Sequence, residues 1–94
     1  MVHVAVQHKV EDYKAWKAVF DNFSPTRKSG GERSYTLWRA AEDPNDISVL
    51  FEWDTLENAR TFMKSTELKN AMQKAGVKEQ PRIQFLNELD HGTL

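Results

Sequence analysis

The side chains in this chain that could do chemistry are few and scattered. Its three histidines stand at positions 3, 8 and 91, and it has no cysteine. His3 and His8 are separated by an odd number of residues on what reads as one strand, so they project to opposite faces and do not converge on a metal ion. His8 is the best candidate for a general base: it ends that strand beside the start of an aromatic helix, and an ordinary imidazole titrates near neutral pH. The plainer role for a histidine at a strand end is a hydrogen bond to a neighbouring loop. Arg39 and Tyr35, on one side of a later strand, are the other polar groups that could act on a substrate. Glu52 sits in an otherwise apolar strand, where desolvation would raise its pKa and suit it to proton abstraction from a phenolic or enolisable compound; an arginine across a subunit seam would instead simply pair it. There is no GxSxG elbow, no phosphate-binding glycine-rich loop and no nucleotide fingerprint. Gly30-Gly31 reads as a helix stop.

The elements that must position these groups follow from periodicity. Val2, Val4 and Val6 alternate with His3, Ala5 and Gln7, the period-two pattern of a strand ending near His8. Tyr13, Trp16, Val19, Phe20 and Phe23 recur every three or four residues, an apolar helical stripe with Asp12 as N-cap and Lys14, Lys17 and Asp21 outward. Ser24 before Pro25 caps a short helical continuation to about Lys28, ended by Gly30 and Gly31. From Arg33 to Ala40 Tyr35, Leu37 and Arg39 share one strand face, and Ser34, Thr36 and Trp38 the other. Glu42 to Asp46 predicts a turn around Pro44. In the next strand Ile47, Val49, Phe51 and Trp53 point one way and Ser48, Leu50 and Glu52 the other, so neither face is built for water. Asp54 and Glu57 have the spacing of a capping box, starting a helix with Leu56, Ala59, Phe62 and Met63 inward. Ser65 caps a second piece that buries Leu68, Ala71 and Met72 and stops at Gly76. A last strand over Arg82 to Glu88 alternates Ile83 and Phe85 with Gln84 and Leu86.

This βαββαβ order predicts one α+β domain over residues 1–94, a ferredoxin-like unit whose four-stranded antiparallel sheet has its helices on one face and its first and third strands in the centre. The helix-free face would carry Ala5, Thr36, Trp38, Leu50, Glu52, Gln84 and Leu86, too apolar for a solvated surface. A second copy packed on it covers both, giving a homodimeric α/β barrel with two sheets face to face. Such help is useful, because a chain this short buries only about 60 to 65% of its unfolded surface. On the other side, between helices and sheet, Trp16, Phe20, Tyr35, Phe51, Trp53, Phe62 and Met63 could line a cavity for a flat apolar or aromatic ligand. The same rings also serve as core.

The order of elements, and especially HKVEDYKAWKAVFDNF (8 to 23) and DPNDISVLFEWDTLENARTFMKSTELKNAM (43 to 72), resembles the small dimeric α/β-barrel proteins of the antibiotic biosynthesis monooxygenase-like superfamily, in particular its uncharacterised members labelled cyclases or monooxygenases. The resemblance runs from about Val2 to Leu89. It implies the dimeric barrel, and it implies a cofactor-free enzyme or a binding protein rather than one set chemistry, since the superfamily also includes haem-degrading, muconolactone-isomerase-like and chlorite-dismutase-like relatives. Haem-degrading relatives use a first-strand asparagine, a tryptophan in the second helical region and, some ten residues on, a histidine that ligates iron. Here Phe62 stands for the tryptophan and Met72 for the histidine, and no asparagine is on the first strand, so haem degradation is set aside. The cofactor-free quinone-forming members use an asparagine, a tryptophan and an arginine, for which Trp16, Trp38, Trp53, Arg39 and Arg60 are the available residues, none within a diagnostic motif.

Composition narrows the remaining classes. Thirteen basic and 14 acidic residues give a formal net charge of −1, which offers no field for nucleic acid or an anionic membrane. RNA-recognition domains share the βαββαβ order but need a basic glycine-aromatic run where this chain reads SVLFEW. No apolar run reaches the roughly 18 residues that span a bilayer, and no signal-peptide pattern is visible, so a soluble cytoplasmic protein is expected. Two functions of different kinds fit: a small dimeric cofactor-free oxidoreductase or cyclase-like enzyme acting on an aromatic or polyketide-like compound through His8, Arg39 or Tyr35, and a non-catalytic dimeric module, of stress type, that only binds a small molecule.

Overall fold

The computed structural model describes all residues 1–94. Alternating valines make β1 (Val2–Lys9), and Asp12 then accepts a hydrogen bond from the Ala15 amide at 3.0 Å and caps α1 (Tyr13–Asn22). Pro25 interrupts the helix, since it lacks an N–H and its ring crowds the carbonyl four residues back, and α2 (Ser24–Gly30) begins afresh. Gly31, with φ of +124°, turns the chain into β2 (Glu32–Ala40). A hairpin leads to β3 (Asp43–Trp53), followed by α3 (Leu56–Met63), α4 (Thr66–Lys74) and β4 (Arg82–Leu86). The strands form one antiparallel sheet in the order β2-β3-β1-β4, the ferredoxin-like arrangement with β1 and β3 central.

Register explains why these two strands are the most apolar. Val4 lies opposite Phe51, Val6 opposite Val49 and His8 opposite Ile47, so the buried sets of both strands share one face. Trp16, Phe20, Ala59 and Phe62 of the helices close over that face and complete the buried core. Each large side chain so covered contributes roughly 1.5–3 kcal/mol. The other face has no helix on it. It carries Ala5, Thr36, Leu50, Glu52, Gln84 and Leu86, with Trp38 54% and Leu86 41% exposed.

Several local expectations need correction. The hairpin turn is only Ala41-Glu42: Ala40 pairs with Asp43, Arg39 with Ile47, and Pro44 lies inside β3 at this irregularity, where its missing N–H breaks no regular ladder. The cap of α3 is Thr55, whose hydroxyl accepts from the Asn58 amide at 3.1 Å. Asp54, one residue earlier, instead accepts from the Thr55 amide at 2.7 Å and from Asn58 Nδ2 at 3.2 Å. Ser24 is not a cap but the first residue of α2, which runs through Gly30, past Lys28. Leu56 is 39% exposed rather than inward, and β4 stops at Leu86, two residues short of Glu88. Leu68, Ala71 and Met72 are half-buried, because α4 stands off the sheet with a cavity beneath it.

Candidate functional site

That cavity has a volume of about 60 Å³. Its floor is Val6 and His8 of β1, Val49 and Phe51 of β3 and Ile83 of β4. Its walls are Trp16, Val19, Phe20 and Phe23 of α1 and its end, Phe62 and Met63 of α3, and Leu68, Ala71 and Met72 of α4. Only two lining side chains are strongly polar, His8 and Arg27. A space of this size holds a few water molecules; an engineered apolar cavity that takes benzene is nearer 150 Å³. An aromatic ligand therefore enters only if side chains move, and Met63 and Met72 are unbranched and adaptable.

His8 is 7% exposed, and neither ring nitrogen has a hydrogen-bond partner in the protein. The loop hydrogen bond expected of a strand-end histidine is not made. Alternation along β1 turns the ring inward, where it meets Trp16 edge to face with centroids 5.5 Å apart. Burial lowers its pKa from 6.5 to about 4, the carboxylate of Asp46 pulling the other way. The expectation of titration near neutral pH is thus corrected by desolvation, which penalises the imidazolium. At pH 7 His8 is a neutral ring with one free N–H and one free lone pair inside an apolar wall.

The second polar group was not legible in the sequence. Arg27 is 3% exposed, although α2, SPTRKSG, reads as a solvent-exposed turn of helix. Its Nε donates to Glu32 Oε1 at 2.6 Å, Nη1 donates to the carbonyl of Phe20, and Nη2 has no partner in the protein. The guanidinium lies 3.7 Å from the Phe20 ring centroid, a cation–π contact. Burial pushes the Glu32 carboxyl up while the Arg27 charge holds it down, and burial dominates. The signal available was Glu32 itself, an acid five residues after Arg27 across a double glycine, where a short turn brings the two together.

Of the proposed site residues, His8, Trp16, Phe20, Phe51, Phe62 and Met63 line the cavity. Trp53 does not: it is wholly buried beside it, its indole N–H donating to the Gly30 carbonyl at 3.1 Å and its ring 5.0 Å from Phe62. Tyr35 is 42% exposed and touches Phe20 from the outer side, and Arg39 lies outside over the ring of Tyr13 at 4.7 Å. Neither Tyr35 nor Arg39 reaches the cavity lining. Glu52 is on the opposite face of the sheet, its carboxylate 3.6 Å from Nε2 of His3 in the same chain. No three His, Cys, Asp or Glu side chains come together.

Fold and site together define a small α+β protein whose helix-side cavity is apolar apart from one unpartnered imidazole and one incompletely satisfied guanidinium. The model of the family described as "Antibiotic biosynthesis monooxygenase" matches residues 1–74, and the chain belongs to that family. A comparison with curated proteins finds no match. Among solved structures, a Bordetella bronchiseptica protein provisionally described as an antibiotic biosynthesis monooxygenase is similar with a TM-score of 0.77 at 16% identity, over 94% of this chain and 96% of that one. Rv0793 of Mycobacterium tuberculosis is similar with a TM-score of 0.70 at 20% identity, over 98% of each chain. SnoaB of Streptomyces nogalater, described as a cofactor-independent oxygenase, is similar with a TM-score of 0.70 at 13% identity, over 94% of each. At these identities the likeness is one of fold. No helix of the chain is long and apolar enough to cross a membrane.

Proposed function

We propose that the protein is a cofactor-independent monooxygenase acting on a phenolic or enolisable aromatic compound in the cavity beneath α4, with His8 as the base. The observation that carries this reading is His8: a buried imidazole with neither nitrogen partnered, lining a space that is apolar apart from it and Arg27. A neutral ring accepts a proton, and its low folded pKa means that it does so only when the anion left behind stays against it as an ion pair. The electron-rich enolate then meets dioxygen. One oxygen atom becomes a carbonyl in place of the two hydrogens of a ring methylene, and the other leaves with those two hydrogens as water. Methylene and dioxygen thus give ketone and water without a reductant. The dry walls protect the carbanion from water. The kinship with SnoaB, a cofactor-independent oxygenase by its description, supports the choice of chemistry.

The same reading gives the helix-free face to a second copy. Trp38 and Leu86 stand exposed there beside half-buried Leu50, and a self-complementary two-fold contact would cover all three. A second function, sequestration without turnover, is favoured by one observation: no acid or base is hydrogen-bonded to His8 to orient it.

Oxygen uptake with a tricyclic phenolic ketone tests the enzyme. The His8→Ala variant should lose about 100- to 10,000-fold in kcat, the span of a general base; unchanged uptake removes His8 as the base. Native mass spectrometry of the purified protein should show the dimer and any retained ligand. A monomer at micromolar concentration would sink the two-sheet barrel.

A further inference from the structure

Proton abstraction by His8 leaves a buried charge at the same cavity without a role. Arg27 is 3% exposed, lines the cavity and satisfies at most three of its five N–H groups, because Nη2, which carries two of them, has no acceptor in the protein. Its other bonds run from Nε to Glu32 Oε1 and from Nη1 to the Phe20 carbonyl. A methionine or leucine would fill this place without leaving a donor stranded, so packing alone does not account for the guanidinium.

We propose that Arg27 Nη2 is an oxygen-reading group: the cavity takes an aromatic ligand bearing an uncharged carbonyl or phenol oxygen and rejects the matching carboxylate. The inference rests on the cavity being the ligand site. The choice of a neutral oxygen comes from Glu32, 9% exposed and bonded to Arg27 Nε at 2.6 Å, which already neutralises the guanidinium. A carboxylate entering this dry space would face Glu32 with no spare positive charge, whereas a carbonyl needs only a free N–H. As a proton leaves such a ligand, charge grows on the oxygen that Nη2 already holds, so the contact strengthens as the enolate forms.

Three ligands on one scaffold test this: tetralin, 1-tetralone and tetralin-1-carboxylate, titrated by calorimetry and by the fluorescence of Trp16 in the wall. Tetralone should bind about 10- to 100-fold more tightly than tetralin, as a hydrogen bond from a charged donor requires. The carboxylate should bind at least about tenfold more weakly than tetralone. In the double variant Arg27→Met, Glu32→Gln, which leaves no unpaired charge, the advantage of tetralone over tetralin should fall to within about twofold. If that variant does not melt cooperatively, the ranking of the three ligands on the unaltered protein decides. Equal binding of tetralin and tetralone overturns the role of Arg27 and leaves the cavity as the site. A carboxylate that binds tightest overturns the argument from Glu32. Binding of none of the three removes the cavity itself, and the inference with it.

Discussion

Replacing His8 with phenylalanine should abolish one specific part of the protein's acid sensitivity. The imidazole titrates at 6.5 when exposed and at about 4 in the fold, because burial disfavours its cation. Its folded pKa is the lower one, so between these values the unfolded chain binds more protons, and stability rises with pH across that window. The contribution is complete above 6.5, is lost as pH falls, and totals roughly 3 kcal/mol once pH is below 4. Relative to pH 7, the linkage expression gives a loss of about 1 kcal/mol at pH 5.5 and about 2 kcal/mol at pH 4.5. Phenylalanine keeps the ring that packs edge to face on Trp16 and removes both nitrogens. Urea unfolding of both proteins at pH 7, 5.5 and 4.5, at one protein concentration, isolates the effect, since the remaining carboxylates titrate alike in each. The unaltered protein should lose ground to the variant by the amounts above. At pH 7 the variant should be at least as stable, because a stranded buried imidazole costs about 1–3 kcal/mol that phenylalanine does not. A gap between the two proteins that does not change with pH would refute the claim that His8 is buried and unpartnered, and the proposed base would go with it.

Breaking the Arg27–Glu32 pair from one side should cost more than removing it: Arg27→Met alone leaves Glu32 buried without its cation and should lose about 3–5 kcal/mol in urea unfolding, while addition of Glu32→Gln should recover part of that. Gly31→Ala should destabilise by about 1–3 kcal/mol, since φ is +124° and a Cβ would lie 2.7 Å from Trp53 Nε1, with a melting temperature equal to that of the parent as the contrary result. Thr55→Ala removes the side-chain cap of α3 and should cost about 1 kcal/mol, whereas Asp54→Ala should not reproduce a cap loss at the Asn58 amide, a difference readable by amide exchange of Asn58. Trp38→Lys places a charge on the open sheet face and should turn the proposed dimer into monomers in sedimentation; a dimer that survives it does not use this face.

Some of this was legible from the chain and some was not, and the division has a physical cause. The two central strands declared themselves because Val4, Val6, Val49 and Phe51 alternate strictly and are apolar, and burial of such side chains tolerates no other register. The caps at Asp12 and Ser65 were equally readable, each a short polar side chain before an amphipathic run. The cap at α3 slipped by one residue because two adjacent side chains, Asp54 and Thr55, both suit the position, and the extended φ of −141° at Thr55 decides between them only in three dimensions. Tyr35 and Arg39 do lie on the helix-side face of β2, against Phe20 and Tyr13, yet β2 is an edge strand and the cavity floor is built from β1, β3 and β4, so both fall outside it.

The site divides in the same way, and the division bears on what kind of site it is. His8 was visible because it continues the alternation of Val2, Val4 and Val6, a polar residue in an apolar phase of a strand. Arg27 was invisible because a seven-residue helix has no phase to violate: nothing in SPTRKSG says which residue turns inward. What sends it inward is a closed set of contacts, the carboxylate of Glu32 across the glycine turn and the ring face of Phe20 one helix earlier. Both polar groups therefore arrive in the cavity by rigid routes, one on a central strand and one pinned at Nε and Nη1, with their unpartnered atoms as the only free hydrogen-bonding capacity there. A fold that buries two such groups in one apolar space accepts a standing cost in stability. That cost falls when a ligand supplies an oxygen to Arg27 and a proton to His8, so tight binding of such a ligand should raise the melting temperature more than an equally large hydrocarbon does, and thermal shift measurements with matched pairs of each would decide it.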